Sequence, residues 1–368
     1  MLRFIKFLIF TSISFLFSNN FVSYNGQVYI VGLNQHDSNL NYDYRLNYIP
    51  EFRKKIAINA NSNVDINFSY LFFKEQNNNK VNLSKYRSWI RYYNDYIDLR
   101  LGLQKITFGS ALFLKPLSWF DSIDFRSITD QTYGVDAARL ILTPNNSSSY
   151  WFWIIKNKLS PNSFGGRFEL SNYYGDWGFT YYKDSQFQKH LPFQINQFLF
   201  SMLSDDLVYQ PNDIESILGF RENQRLGFDY RYDGFFGFWF ETSKYIMKKY
   251  DDVLFNEFLF CTLGLDYTLP YNDGILISGE TIFSQVDLSI ESELLDNDNI
   301  SSLFYFSMPI NMINNLSLFH IIDWDYNIPS NNLLLLSSTY DSFTMNYMLT
   351  LIPGQFNDFF QIEFVYNY

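Results

Sequence analysis

The chain has 368 residues, 27 Lys+Arg against 38 Asp+Glu, a formal charge of −11, one Cys and 21% aromatic residues. Its 47% hydrophobic content excludes a disordered chain, which would have too little apolar surface to offset chain entropy. A single Cys excludes an internal disulfide framework and a Cys-based zinc site, and the acidic balance argues against nucleic acid as a partner.

In chain order, Arg3 and Lys6 precede the apolar stretch Phe7 to Phe17. The pattern predicts an export signal over residues 1–20, with cleavage near Asn20, followed by one domain over 21–368. Past Asn20 no run approaches the roughly 18 apolar residues of a membrane-spanning helix. Apolar residues come instead at every second position, in segments of about ten, as in a strand facing lipid on one side and water on the other.

The first such segment is Lys85 to Tyr92, with Tyr86, Ile90 and Tyr92 on one face and Lys85, Arg87 and Arg91 on the other. The next carries Leu99, Leu101 and Leu103 opposite Arg100, Gly102 and Gln104. Gly109 breaks it, and a connection over 109–133 leads to Gly134. So long a connection is uncommon unless functional or disordered. Its Phe113, Pro116, Trp119 and Phe120 argue for order. Folded into the lumen, it would narrow a pore with Asp121, Asp124 and Arg126.

Further along, Trp177, Phe179 and Tyr181 oppose Asp176, Gly178 and Thr180, and Leu226, Phe228, Tyr230 and Tyr232 oppose Arg225, Gly227, Asp229 and Arg231. Phe236, Phe238 and Phe240 oppose Gly237, Trp239 and Glu241, while Leu263, Leu265 and Tyr267 oppose Thr262, Gly264 and Asp266. A charge on the lipid face costs about 2–4 kcal/mol at the midplane, so Asp229, Arg231, Glu241 and Asp266 are expected to point inward. The segments near 149–157 and 331–340 do not show their faces. The stretch from Asp184 to Asn223 alternates poorly and reads as a long surface loop or as two irregular strands with a loop. Turns are expected at Asn145–Ser147, Tyr232–Gly234, Tyr271–Gly274 and Asp296–Asn299.

The last segment places Phe360, Ile362, Phe364, Tyr366 and Tyr368 opposite Gln361, Glu363, Val365 and Asn367, up to the final residue of the sequence. The count gives an all-β fold, a transmembrane antiparallel β-barrel of about 16–18 strands. Trp151, Trp153, Trp177, Tyr181, Tyr92 and Tyr93 fit an interfacial aromatic girdle.

Signs of catalysis are weak. His36, His190 and His320 have no Gly-flanked Ser and no second His at metal-ligand spacing, and Ser317 does not share a face with His320. Cys261 shares the face of Leu263 and Leu265, which suits an inert lipid-facing thiol. The pairs Asp205-Asp206 and Asp251-Asp252 lack the spacing of a calcium loop.

Arg100-x-Gly102-x-Gln104-x-Ile106-x-Phe108-Gly109, then Pro116-Leu117-x-Trp119-Phe120-Asp121 and Thr132-x-Gly134-Val135, resembles a group of porins, outer-membrane barrels of Gram-negative bacteria. The aromatic final strand resembles the signal that such barrels present to the barrel-assembly machinery. The resemblance implies the cell outer membrane and a passive channel for small hydrophilic solutes, with no cofactor. Arg87, Arg91, Arg100, Gln104, Asp121, Asp124 and Arg126 would line or narrow it, and a homo-oligomer is an open expectation. The other reading is a non-conducting barrel for surface structure or polysaccharide anchoring.

Overall fold

A computed structural model describes residues 23–35, 41–75, 80–120, 132, 134–157, 161–185, 222–248, 255–271, 273–290, 293–324, 331–351 and 359–368. Among these residues 18 antiparallel strands form one sheet. The first five are β1 (Ser23–Gln35), β2 (Asn41–Asn59), β3 (Ser62–Glu75), β4 (Asn82–Tyr93) and β5 (Ile97–Gln104). After a long connection come β6 (Val135–Asn145), β7 (Ser148–Ile155), β8 (Ser163–Asn172) and β9 (Gly175–Asp184). Then follow β10 (Asn223–Asp233), β11 (Gly237–Met247), β12 (Phe255–Leu269), β13 (Ile275–Ile290) and β14 (Glu293–Pro309). The last are β15 (Asn314–Asp323), β16 (Asn331–Thr339), β17 (Phe343–Leu351) and β18 (Phe359–Asn367).

Each strand pairs with its chain neighbours, and β1 pairs with β18 from Gln27↔Asn367 to Gln35↔Phe359, so the sheet closes into a barrel. Closure leaves no unpaired edge, which is the only way a sheet can satisfy its backbone in lipid. At the seam the amide of Gly26 donates to Tyr368 O and that of Tyr368 to Gly26 O, both at 3.1 Å. The Tyr368 hydroxyl also lies 3.0 Å from that of Tyr24 and 3.1 Å from that of Tyr48. Tight turns, such as 60–61, 146–147 and 173–174, share the edge that holds the start of β1 and the end of β18.

The alternation predicts the outer surface well. Ile90, Leu101, Phe179, Leu226 and Leu263 are exposed on it as expected, and Phe68, Phe152, Phe164 and Phe304, whose faces the sequence leaves unassigned, join them. Trp177 and Tyr230, with ring centroids 4.4 Å apart, and Tyr230 and Phe238, at 6.0 Å, form an aromatic band near the short-turn edge. Ser317 is buried while His320 shares the outward row with Phe304 and has its Nδ1 2.7 Å from Asn332 Oδ1.

Four expectations need correction. Asp296–Asn299 is not a turn: it lies within β14 and pairs with Asp287 to Ser284 of β13, because the hairpin runs on to residues 290 and 293. A bulge on β4 skips Tyr86, so Lys85 pairs with the exposed Tyr70 while Tyr86 packs inward beside Ile49 and Val365. The expected girdle residues Trp151, Trp153 and Tyr93 face inward, Trp153 being almost fully buried. The fifth strand ends at Gln104 rather than at Gly109.

The inward face is also not uniformly polar. Trp153, Ile155, Tyr182, Tyr245, Phe258, Phe260, Ile282, Leu303, Phe319 and Leu333 form one core with Ile106, Leu114, Leu117, Trp119 and Phe120 of the long connection. Aromatic side chains inside a barrel need an apolar partner to escape water. That partner is the connection itself.

Candidate functional site

The connection after β5 is described over 105–120, and it reaches the wall six to eight strands away around the ring, on β11 to β13. Two buried carboxylates receive it. Glu280 of β13 accepts the amides of Leu112 (2.6 Å), Phe113 (2.9 Å) and Leu114 (2.6 Å), and the indole N–H of Trp239 at 2.9 Å. Glu241 of β11 accepts those of Ala111 at 2.9 Å and Leu117 at 2.6 Å. Thr262 donates to Leu114 O at 2.7 Å, and the Trp119 indole donates to Ser243 at 2.8 Å.

Two glycines make this approach possible. Gly109 has φ +99°, and a Cβ there would meet Glu241 Oε2 at 2.4 Å. At Gly227 a Cβ would lie 2.3 Å from Leu117 Cδ2. Beneath the loop, Phe108 stands edge-on to Trp119 and stacks on Trp153, while the Arg167 guanidinium lies 5.3 Å above the Phe108 ring. Arg167 itself forms a fork with Asp229, at 2.6 and 2.9 Å, and donates to Glu169 at 2.7 Å. Half of the barrel interior is thereby a packed core.

The facing wall is charged. Arg91 of β4, Arg100 of β5 and Arg139 of β6 are direct register partners, with Asp65 of β3 and Lys55 of β2 continuing the same rung. Asp98 accepts from Arg91 Nε at 2.9 Å and Nη2 at 2.7 Å, and lies 3.9 Å from Arg139. Asp65 pairs with Arg53 at 2.8 Å. Among the described residues no carboxylate lies within 4 Å of the Arg100 guanidinium, which sits 4.6 Å over the Trp89 ring. Arg91 likewise lies over Tyr93, at 4.3 Å, and Arg139 over Trp151, at 5.3 Å. Each stack fixes a guanidinium through the face of its plane and leaves the edge donors for anionic partners, which Asp98 supplies to Arg91 and Arg139.

The sequence therefore brings Arg87, Arg91 and Arg100 to one wall, but in different roles. Arg87 donates to Thr132 O at 2.8 Å and holds the returning end of the long connection. Gln104 is fully buried, its amide donating to Ala137 O at 2.9 Å. Asp121, Asp124 and Arg126 lie outside the described residues. Arg139, Arg53 and Glu280 were not singled out by sequence reasoning. Arg139 follows Ala137-Ala138 in a segment with little alternation of its own, and its signal is only its register with Arg100. No cluster of three or more potential metal ligands occurs among the described residues.

No family model and no curated protein sequence matches the chain. Solved structures do match. OccK2 (OpdF) of Pseudomonas aeruginosa, solved in complex with glucuronate, is similar at TM-score 0.59 and 7% identity, over 94% of this chain and 96% of that one. OccAB4 of Acinetobacter baumannii has TM-score 0.56 and 9% identity, over 95% and 98%. OmpF of Salmonella typhi has TM-score 0.52 and 7% identity, over 94% and 97%. At these identities the likeness is one of fold: a porin-type barrel spanning nearly the whole of each chain.

Proposed function

We propose that this chain is an outer-membrane channel for small hydrophilic solutes, and that it favours anions. The observation that carries the reading is the Arg91–Arg100–Arg139 rung, which among the described residues has one carboxylate, Asp98, within 4 Å of it. A ring or ladder of cations along a pore attracts anions and disfavours cations. The path would run along β2 to β5, past Arg53, Arg91 and Arg100, because the core that the loop forms with the wall fills the side opposite. Of the similar structures, the OccK2 complex holds glucuronate, an organic acid, which is consistent with a path for carboxylates.

Residues 1–20 would be the export signal and 21–368 the mature barrel. The final strand would engage the barrel-assembly machinery. The similar OmpT of Vibrio cholerae was solved in a trimer form, and we extend a homo-oligomer to this chain on that likeness. Asp121, Asp124 and Arg126 remain in the proposed constriction on sequence grounds.

A second reading, a non-conducting barrel for surface structure or polysaccharide anchoring, is favoured by the filled half of the interior. Planar-bilayer recording of the purified protein decides between them. Stepwise current with an anion-favouring reversal potential supports the channel, and membrane-inserted protein without current supports the second reading.

A further inference from the structure

The loop and the wall to which it is tied carry a second, more specific relationship. Every donor that Glu280 and Glu241 receive from the loop is a backbone N–H: Leu112, Phe113 and Leu114 for one, Ala111 and Leu117 for the other. Three successive amides turned towards one point form a concave anion site, and here a carboxylate of the wall occupies it. Glu241 joins the two ends of 111–117, while Glu280 takes its middle. Both carboxylates are almost wholly buried. Hydrogen bonds to an ionised carboxylate are the stronger kind, and stripping one away leaves several buried donors unpaired at once.

We infer that Glu241 and Glu280 are the positioning residues of the constriction. These wall carboxylates, acting through backbone amides, set where 111–117 sits and hence how much of the lumen stays clear. The inference rests on the channel reading for its effect on current. It has a direct consequence for sequence: the exposed side chain at 112 is free to change, whereas 241 and 280 are not, and Phe113 is held separately by its ring contacts with Tyr305 and Phe319. It also gives the vacated amide site a ligand class, a small carboxylate, which should take the place of the missing side chain.

The test uses the full-length protein refolded in detergent, with a spin label on Leu112→Cys in a Cys261→Ser background. With both glutamates present the label should report a single immobile population. Glu280→Ala should raise the mobile, unseated fraction by about tenfold or more, the factor that corresponds to losing one charge-assisted bond. Sodium acetate should reverse that rise where sodium chloride of equal ionic strength does not. In bilayers, Glu280→Ala without the label should give larger and noisier unit currents that acetate quietens.

Glu241→Gln and Glu280→Gln keep side-chain volume and serve if the alanine variant does not fold, as judged by heat-modifiable gel migration. A folded Glu280→Ala or Glu280→Gln barrel whose label stays as immobile as in its parent overturns the inference. So does mobility that acetate fails to reverse in the alanine variant. Because the label reads loop seating without current, failure of the channel reading would show separately, as an unlabelled wild-type protein that inserts but does not conduct.

Discussion

Arg91 and Arg100 face each other directly across β4 and β5, yet among the described residues only Arg91 of the two has a carboxylate within 4 Å. Arg91 gives Nε and Nη2 to Asp98, while Arg100 rests on Trp89 and has no carboxylate in direct contact among the described residues. The pair therefore predicts unequal effects on permeation.

Arg100→Ala should shift the reversal potential in a salt gradient towards cations, and Asp98→Asn should shift it towards anions. Arg91→Ala should also move it towards cations by exposing Asp98. All three shifts should shrink as ionic strength rises, because screening over about 10 Å at 0.1 M weakens each charge. Reversal potentials indistinguishable from wild type across these variants would remove the rung from the path.

Asp229→Ala removes both acceptors of the Arg167 fork in a buried setting and leaves the guanidinium over Phe108 with only Glu169 and Thr180 among its described side-chain acceptors. Breaking a buried pair from one side costs about 3–5 kcal/mol. Urea titration of the barrel in detergent should show that loss, and a midpoint unchanged from wild type would count against the packed half.

Gly227→Val places a branched side chain where Leu117 and Trp119 already lie, since even a Cβ would meet Leu117 at 2.3 Å and Trp119 at 3.2 Å. Overpacking of this kind costs about 1–3 kcal/mol. The temperature at which the folded gel band is lost should fall. The exposed neighbour Leu226, on the opposite face, should accept Val without comparable loss.

Phe228→Arg tests the outer surface. Phe228 lies midway along β10, in the outward row with Phe179 and Thr242. A cation there should cost about 2–4 kcal/mol and reduce the yield of folding into lipid vesicles. Equal yields would mean that this face does not meet hydrocarbon.

The barrel was legible because alternation is local: β10 shows Leu226, Phe228 and Tyr230 against Arg225, Gly227 and Asp229 without reference to any other strand. The same rule is silent on β7, where Trp151, Trp153 and Ile155 are apolar although they face inward, since their partner is a loop rather than water. It is silent on β16 for the same reason, with Leu333 in that core and Leu335 packed against it. The Asp296–Asn299 composition suggests a turn, but β14 continues through it in register with β13. The arginine wall was legible at Arg91 and Arg100. The carboxylate latch was not, since Glu280 meets residues 166 to 168 positions away and binds only their amides, which no side-chain pattern records.

The packed half of the interior also shapes the electric field. Aromatic and aliphatic groups polarise far less than water, so the slab from Trp153 to Phe319 forms a low-dielectric bank facing the guanidinium side. Field lines from Arg91 and Arg100 are turned away from such a bank and crowd into whatever aqueous strip lies between the two walls. Each arginine should thus steer ions more forcefully than the same residue in a broad, water-filled tube.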